Sequence, residues 1–479
     1  MKKALLSLLG LLLLGSTYSQ DQPNIIFILI DDQRYDFLSY LDHPWVETPY
    51  IDQLAERSIF FDRAYVTTSL CSPSRASILT GQYTHIHRVL DNDTPIPPDM
   101  ITFPQVLQKG GYTTAFIGKW HMGGSDSSPR KGFTHWVSFK GQGAYENPSL
   151  NINGTLSQEQ GYTPDILTDQ AISFLESQEN TEKPFFMYLS HKSIHEDFTP
   201  APRHEGRYKE VSIPPPTPME NQVEKPQWVK RQRKSWHGAE REYSIQNYGS
   251  YTSFFQKYSE CMLGVDESIG KLTEYLQHTG QLAKTAIIYF SDNGYLMGEH
   301  GLIDKRVMYE ESIRVPAFLH WPEKFSEPVR MDNFFLNVDI GPTILDMAQL
   351  SIPEDMQGKS IYPLLKGEDI PWRTSFIYEY FNDPKAVQTP TMFGLRTQRY
   401  SYTTYYGVWD LFELYDLEKD PAQNDNLLGS VNYGWSYGDF LTYVKRQLPK
   451  VYPIVKKLDE ELTKELALLR GSRIPRWTK

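Results

Sequence analysis

Residues 24–32 read NIIFILIDD, an apolar run that stops abruptly at two aspartates. Such a short stretch, rich in Ile and Phe and without polar alternation, predicts a strand over Asn24–Ile30 buried on both faces, as strands of parallel sheets are. Three more segments share the pattern: Thr113–Gly118 (TTAFIG), Pro184–Leu189 (PFFMYL) and Ala286–Phe290 (AIIYF). Between them lie helical periodicities, TPYIDQLAERSIF at 48–60 and YSECMLGVDESIGKLTEYLQHTG at 258–280, the second closing on Gly280 as a C-cap. Strands alternating with helices predict an α/β fold with a central, mostly parallel sheet.

The residues just beyond each strand point to function. Asp31 and Asp32 come after the first strand, and Lys119, Trp120 and His121 after the second. Ser190, His191 and, four residues on, His195 come after the third, and Ser291, Asp292 and Asn293 after the fourth. In open α/β sheets ligands bind outside the carboxyl ends of the strands, so these four ends converge on one polar site. Asp31, Asp32, Asp292 and Asn293 offer only oxygen ligands if Asn uses its carbonyl, a set that suits a hard divalent cation, calcium or magnesium.

From about Trp372 the texture changes. SFIYEYF, TMFGLRTQRYSYTTYY and WDLFELYDLEKDP alternate like strands of a smaller antiparallel sheet, and VYPIVKKLDEELTKELALLR reads as a charged helix. The chain therefore divides into a large domain at 20–371 and a smaller α+β unit at 372–479. Residues 200–250 interrupt the large domain with a Pro-rich loop and the basic run KPQWVKRQRKSWHG. That run is open to two readings, a solvated helix face or a local basic surface.

The first 19 residues combine a Lys-Lys start, a short apolar stretch and small residues at Thr17 and Ser19, the pattern of a cleaved export signal. No cysteine follows that stretch to take a lipid anchor, and no later apolar run reaches the ~20 residues a membrane helix needs. The mature protein is expected outside the cytoplasm, in the periplasm or secreted. A formal net charge of −11 disfavours nucleic acid as a partner and requires that an anionic substrate be held by a local basic site. Only two cysteines are present, Cys71 and Cys261, and export makes one disulfide between them the plain structural reading.

Cys71 opens the stretch CSPSRASILTG, in which Ser74 and Arg75 begin a helix whose N-terminal amides favour an anion. Arg75 adds a planar fork of donors that suits a tetrahedral oxyanion. From these residues alone the thiol is open to three readings: a nucleophile, half of a disulfide, or a modified side chain.

The same stretch resembles the signature of the type I sulfatases, in which this cysteine is oxidised after translation to Cα-formylglycine. PNIIFILIDDQRYD, GYTTAFIGKWHMG, FFMYLSHKSIH, IIYFSDNGYLMGEHGLIDKRVMYEESIRVP, VDIGPTILDMAQL and ELYDLEKDPAQNDNLL are similar to further blocks of that family, in its order. The resemblance implies an alkaline-phosphatase-like fold and a maturation enzyme that generates the formylglycine. It also implies a calcium ion, with magnesium the lesser alternative, held by Asp31, Asp32, Asp292, Asn293 and the modified Cys71. Cys71 is then consumed before it can pair, which leaves Cys261 as a buried thiol.

The resemblance further implies a hydrated aldehyde, a geminal diol, one hydroxyl of which attacks sulfur while the sugar alcohol leaves. His195 and Lys305 match the family's residues on the leaving-group side, His121 the residue that deprotonates the second hydroxyl, and Lys119 and Arg75 those that hold the modified side chain and the sulfate. His191, His237 and Arg306 are candidate substrate contacts, with His300 and Trp236 beside them; a loop cap for His191, salt-bridge or loop-structural roles for Arg306 and His300, and core packing for Trp236 stay open as alternatives. The expected substrate is a sulfated polysaccharide or its fragments, with a lean towards algal ulvan or carrageenan and glycosaminoglycans as the alternative.

Two other functions meet obstacles in the sequence. Phosphoethanolamine transferases of this fold use a Thr nucleophile and membrane helices, and alkaline phosphatases need a second metal site rich in His and Asp. A formylglycine-dependent phosphate ester hydrolase stays open as a relative. A non-catalytic glycan binder has no physical need for acid–base groups beside a hard-metal site.

Overall fold

The structure, a computed structural model, describes residues 22–213, 225–239, 248–408, 412–429 and 437–474. The expected export signal at 1–19 lies outside them. Among the described residues no helix is long and apolar enough to cross a membrane.

A ten-stranded sheet runs through the molecule in the order 329–331, 59–61, 318–320, 285–291, 24–30, 185–190, 113–118, 135–138, 149–152, 155–158. The four strands expected from the sequence stand side by side at its centre. Asn24–Ile30 pairs in parallel with Phe185–Ser190 on one side and Thr285–Ser291 on the other, and Thr113–Gly118 extends the parallel run. Side chains of a strand alternate between faces. Ile25, Phe27 and Leu29 accordingly join one apolar core and Ile26, Ile28 and Ile30 the other, every one of them fully buried. This is why the run NIIFILI has no polar alternation.

The second face is covered by the helices Thr163–Gln178 and Tyr251–His278, which bring Phe174, Phe254, Cys261, Met262 and Val265 into that core. Ser250 caps the long helix by accepting from Ser253 N at 3.1 Å, and Gly280 beyond its end is left-handed, as expected. Asp266 of the same helix accepts from Tyr50 N and Ile51 N at 3.0 and 2.8 Å, so it supplies the N-terminal acceptor that the helix Pro49–Ala55 lacks locally. That helix is shorter than its periodicity suggested. Ile59–Phe61 leaves it to pair with Phe318–His320 and Val329–Met331, because three consecutive apolar side chains gain more in the sheet than on a helix half exposed to water.

The opposite face carries the helices Cys71–Thr80 and Ile340–Met347 and the C-terminal part of the chain. Ser375–Tyr380, Thr391–Thr397, Tyr400–Tyr406 and Phe412–Asp416 form a four-stranded antiparallel sheet in sequence order, backed by Tyr452–Leu468.

Gly118 ends its strand at φ +121°, where a Cβ would lie 1.8 Å from Ser190 O. This close approach lets Lys119 N donate to the same carbonyl at 2.9 Å and aims the lysine over the strand ends. Gly118→Ala is therefore expected to destabilise the fold by roughly 3 kcal/mol, read as a lowered urea midpoint with unchanged slope. A midpoint equal to wild type would show that the backbone can relax around the new methyl.

Candidate active site

Asp31 and Asp32 turn off the end of the central strand, and Asp32 does so in the left-handed region at φ 63°, which aspartate tolerates better than most side chains. Leu70 is extended and the helix begins at Cys71 itself, with Pro73 in its first turn and Gly81 at its end. The thiol is thereby placed at the helix N-terminus, 3.6 Å from Asp31 Oδ1 and 4.0 Å from Asp32 Oδ1. Potential ligand atoms of Asp31, Cys71 and Asp292 all lie within 4.8 Å of one another, and all three residues are buried.

Three cations stand against these three aspartates. Arg75 Nε donates to Asp292 Oδ2 at 2.9 Å, its Nη2 lies 3.5 Å from Asp31, and its Nη1 donates to Lys119 O and Ser190 Oγ, each at 2.7 Å. Lys119 Nζ pairs with Asp31 and lies 4.0 Å from the Cys71 sulfur, while Lys305 Nζ reaches Asp32 Oδ2 at 2.6 Å. Burial alone would raise the Asp31 carboxyl, yet Lys119, His195, Arg75 and Lys305 together hold it well below the usual range. Asp292 goes the other way, pushed up to about 7 by burial and by Asp31, against the pull of Arg75. Burial opposes the Lys305 charge, but Asp32 wins and holds its ammonium well above the ordinary lysine value.

Burial pushes the Cys71 thiol up to about 12 in spite of Lys119 and Lys305. An unmodified thiol here stays protonated near neutral pH, which makes it a poor nucleophile. Cys71 and Cys261 are both free and buried, so the simple disulfide reading does not hold.

The site also fits a hard cation. Asn293 Nδ2 donates to Asp32 Oδ1 at 2.6 Å and to Gly294 O at 2.8 Å, which fixes the amide and leaves its Oδ1 buried without a hydrogen-bond partner. A buried carbonyl oxygen left bare beside three carboxylates is satisfied by a divalent oxygen-seeking ion.

His121 is left-handed at φ 67° and lines a cavity of about 500 Å³ together with Arg306, Trp236, Lys140, Gln142 and Lys385. His195 Nε2 lies 3.9 Å from Asp32 Oδ2 and its Nδ1 meets Glu196 O. Burial first, then Lys119, holds both imidazoles well below the ordinary histidine value, so both are neutral at neutral pH.

The remaining expected residues divide. Arg306 reaches the cavity, paired with Asp304. His237 lies beneath Trp236, 2% exposed, with its Nε2 3.2 Å from Asp304 Oδ2, so it supports the cavity floor instead of lining it. His191 is not brought to the cavity: its backbone stays in register with the sheet by donating to Leu29 O, and its Nε2 meets Ser268 Oγ of the helix Tyr251–His278 at 3.0 Å. His300 is likewise buried, stacked on Tyr309 at 3.9 Å. Asp304 was missed by sequence reasoning, although the acid two residues before Arg306 in IDKR was its one visible signal.

A family model described as Sulfatase matches residues 23–350 of the sequence. The chain belongs to the sulfatase family. A second model, the C-terminal region of N-sulphoglucosamine sulphohydrolase, matches residues 298–448 of the sulfatase. The N-acetylglucosamine-6-O-sulfatase of Bacteroides thetaiotaomicron is 32% identical to it, over 94% of this chain and 90% of that protein. The ulvan-active sulfatase of Formosa agariphila is 28% identical, over 94% and 82%. The structure of BT4656 in complex with its substrate D-glucosamine-2-N,6-O-disulfate matches with a TM-score of 0.81 and 31% identity, covering 94% of this chain and 98% of that one. The sulfatase is thus a sulfate-ester hydrolase with the alkaline-phosphatase-like fold, as the strand pattern and the resemblance implied.

Proposed function

We propose that this sulfatase removes 6-O-sulfate from glucosamine residues of a glycosaminoglycan-type saccharide, using Cα-formylglycine at position 71 and a calcium ion. One observation carries the chemical part. The ligand atoms of Asp31, Cys71 and Asp292 converge within 4.8 Å at the carboxyl ends of the central strands, beside Arg75 and Lys119.

Asp31, Asp32, Asp292, Asn293 and the modified residue would hold the cation, which would supply Lewis-acid polarisation of a sulfate oxygen. The hydrated aldehyde would supply the attacking hydroxyl, a far better candidate than the protonated thiol. Lys119 and Arg75 present fixed positive charge to the sulfate in a buried, low-dielectric setting, where such charge stabilises most. Lys305 keeps its proton and faces the departing sugar oxygen from the Asp32 side. His195, on the same side, would give the leaving oxygen a proton only after taking one up from solvent, and neutral His121 would accept the proton of the second hydroxyl.

A cavity of about 500 Å³ admits a saccharide of one or two residues. The N-acetylglucosamine-6-O-sulfatase of Bacteroides thetaiotaomicron and the BT4656 complex with D-glucosamine-2-N,6-O-disulfate support that sugar over the algal polysaccharides first expected, while the ulvan-active relative keeps ulvan in the test. Maturation needs a separate enzyme. The segment 1–19 would direct the chain to the periplasm or the medium.

The test is sulfate released by matured protein from N-acetylglucosamine 6-O-sulfate, its 3-O- and 4-O-sulfated counterparts, and fragments of ulvan, carrageenan and chondroitin sulfate. Release confined to the 6-O-sulfated glucosamine is expected, and release from an algal fragment alone would replace the proposed sugar. Trp236, 41% exposed at the cavity wall, offers a face for the sugar ring. Trp236→Ala is expected to raise KM for the saccharide about 2- to 10-fold, from a stacking contribution of ~0.5–1.5 kcal/mol, with kcat little changed. An unchanged KM would remove Trp236 from the binding surface.

A further inference from the structure

The basic run at 225–234 is neither a solvated face nor a uniformly basic surface. Arg231 and Lys234 are exposed, but Lys225 is 1% exposed and Trp228 is 3% exposed. Lys225 Nζ donates to Tyr415 OH at 2.8 Å and to Gln423 O at 2.5 Å, and it lies 4.2 and 4.5 Å from the ring centroids of Tyr309 and Tyr415. Glu413 accepts from Tyr415 OH at 2.5 Å, from Tyr309 OH at 3.0 Å and from Tyr405 OH. A buried cation so enclosed, with a carboxylate one hydroxyl away, is an unusual feature for a lysine and one the reaction itself does not use. Burial pulls its ammonium down to about 8, against Glu413, Glu311, Asp420 and Asp425.

The stretch from Lys225 to Ala239 crosses from the C-terminal sheet to the active site. Trp228 packs on Tyr405 at 5.1 Å, and Gln232 accepts from Thr389 Oγ1 at 3.0 Å. At its far end Ile303 N donates to His237 O at 2.8 Å and Ala239 N to Gly301 O at 2.9 Å, with a bridge between Gly238 and Leu302. Among the described residues, the stretch 225–239 therefore acts as a strap, tied to the C-terminal unit through Lys225, Trp228 and Gln232 and, through residues 237–239, to the loop that carries Asp304, Lys305 and Arg306. Trp236 of the strap forms the cavity wall, and His237 stands against Asp304.

We propose that Lys225 is a positioning residue, which clamps the strap to the C-terminal sheet and thereby sets Trp236 and Arg306 at the cavity wall and Lys305 against Asp32. The proposal rests on the active-site reading above. It adds a second route from the C-terminal sheet to the cavity, beside Asp383 and Lys385, which line it from the loop between the sheet's first two strands. Lysine suits the position because its ammonium lies against the Tyr309 and Tyr415 rings and satisfies a hydroxyl and a carbonyl together.

The test compares wild type, Lys225→Met and Tyr415→Phe by amide hydrogen exchange and by kinetics on N-acetylglucosamine 6-O-sulfate. Tyr415→Phe keeps the cation and removes its hydroxyl partner, together with one of the three hydroxyls that donate to Glu413, so it decides the matter if Lys225→Met does not fold. Clamping requires faster exchange at Ala239 and Ile303, with Ile25–Ile30 unchanged. It also requires a kcat/KM loss of about tenfold, as misplacement by less than ~1 Å gives. That loss should not add to the effect of Trp236→Ala in the double variant, since both act at one wall.

Unchanged exchange at Ala239 and Ile303 overturns the proposal. So does exchange that quickens throughout the sheet, which would mark Lys225 as a general stabiliser. A wild type that releases no sulfate from this sugar counts against the proposed substrate and leaves the exchange result to decide the strap.

Discussion

Replacing Cys71 by Ala in protein produced with the maturation enzyme is expected to abolish sulfate release, by roughly 10⁴-fold or more, because it removes the attacking group itself. Saccharide binding should survive. Alanine is the best helix former, so the start of the helix Cys71–Thr80 is kept, and Trp236 and Arg306, the proposed sugar contacts, line the cavity from other segments. The check pairs sulfate release with calorimetric titration of N-acetylglucosamine 6-O-sulfate into the variant. Loss of turnover with retained binding separates a catalytic residue 71 from a structural one. Simultaneous loss of both would make it structural, and retained turnover would remove the formylglycine from the mechanism.

Arg75→Met is expected to have the largest effect on stability, a loss of about 3–5 kcal/mol, because it strips a buried carboxylate of its partner. Arg75 is 1% exposed and joins Asp292, Asp31, Lys119 O and Ser190 Oγ, so four strand ends lose one common tie. The sign of its pH dependence comes from Asp292. Burial already raises that carboxyl to about 7, and Arg75 opposes the rise. Without the guanidinium the folded value climbs further above the unfolded one, so folding then costs most where the carboxylate must be charged. In urea unfolding with chelator present, the deficit should be larger above pH ~8 than below pH ~6. A deficit independent of pH would place the loss in packing, not in the Asp292 pair.

The central strands were legible because burial on both faces imposes a continuous apolar run, and Asn24–Ile30 has no other way to be built. The residues after the strands were legible for a related reason. A polar residue directly beyond such a run is forced to the sheet's carboxyl edge, and Asp31, Asp32, Lys119, Asp292 and Asn293 were all found there. Direction was harder to read than position. His191 and His195 leave the same strand, yet only His195 reaches Asp32, since a side chain still in register points into a face and one beyond it does not.

Short strands and buried charges were not legible. Ile59–Phe61 continues a helical periodicity, and only its partners at 318–320 and 329–331, far along the chain, make it a strand. Lys225 sits in a run of five basic residues, and its burial is decided by Tyr415 and Gln423. No local pattern reports contacts across such distances.

The central claim is that turnover depends on an aldehyde at position 71. The most direct measurement is the mass of the proteolytic peptide containing residue 71, alongside the rate of sulfate release, for protein produced with graded amounts of the maturation enzyme. The account requires the rate to rise in proportion to the fraction of peptide carrying formylglycine and to vanish where all of it carries the thiol. Full activity in protein whose residue 71 is entirely cysteine would contradict it.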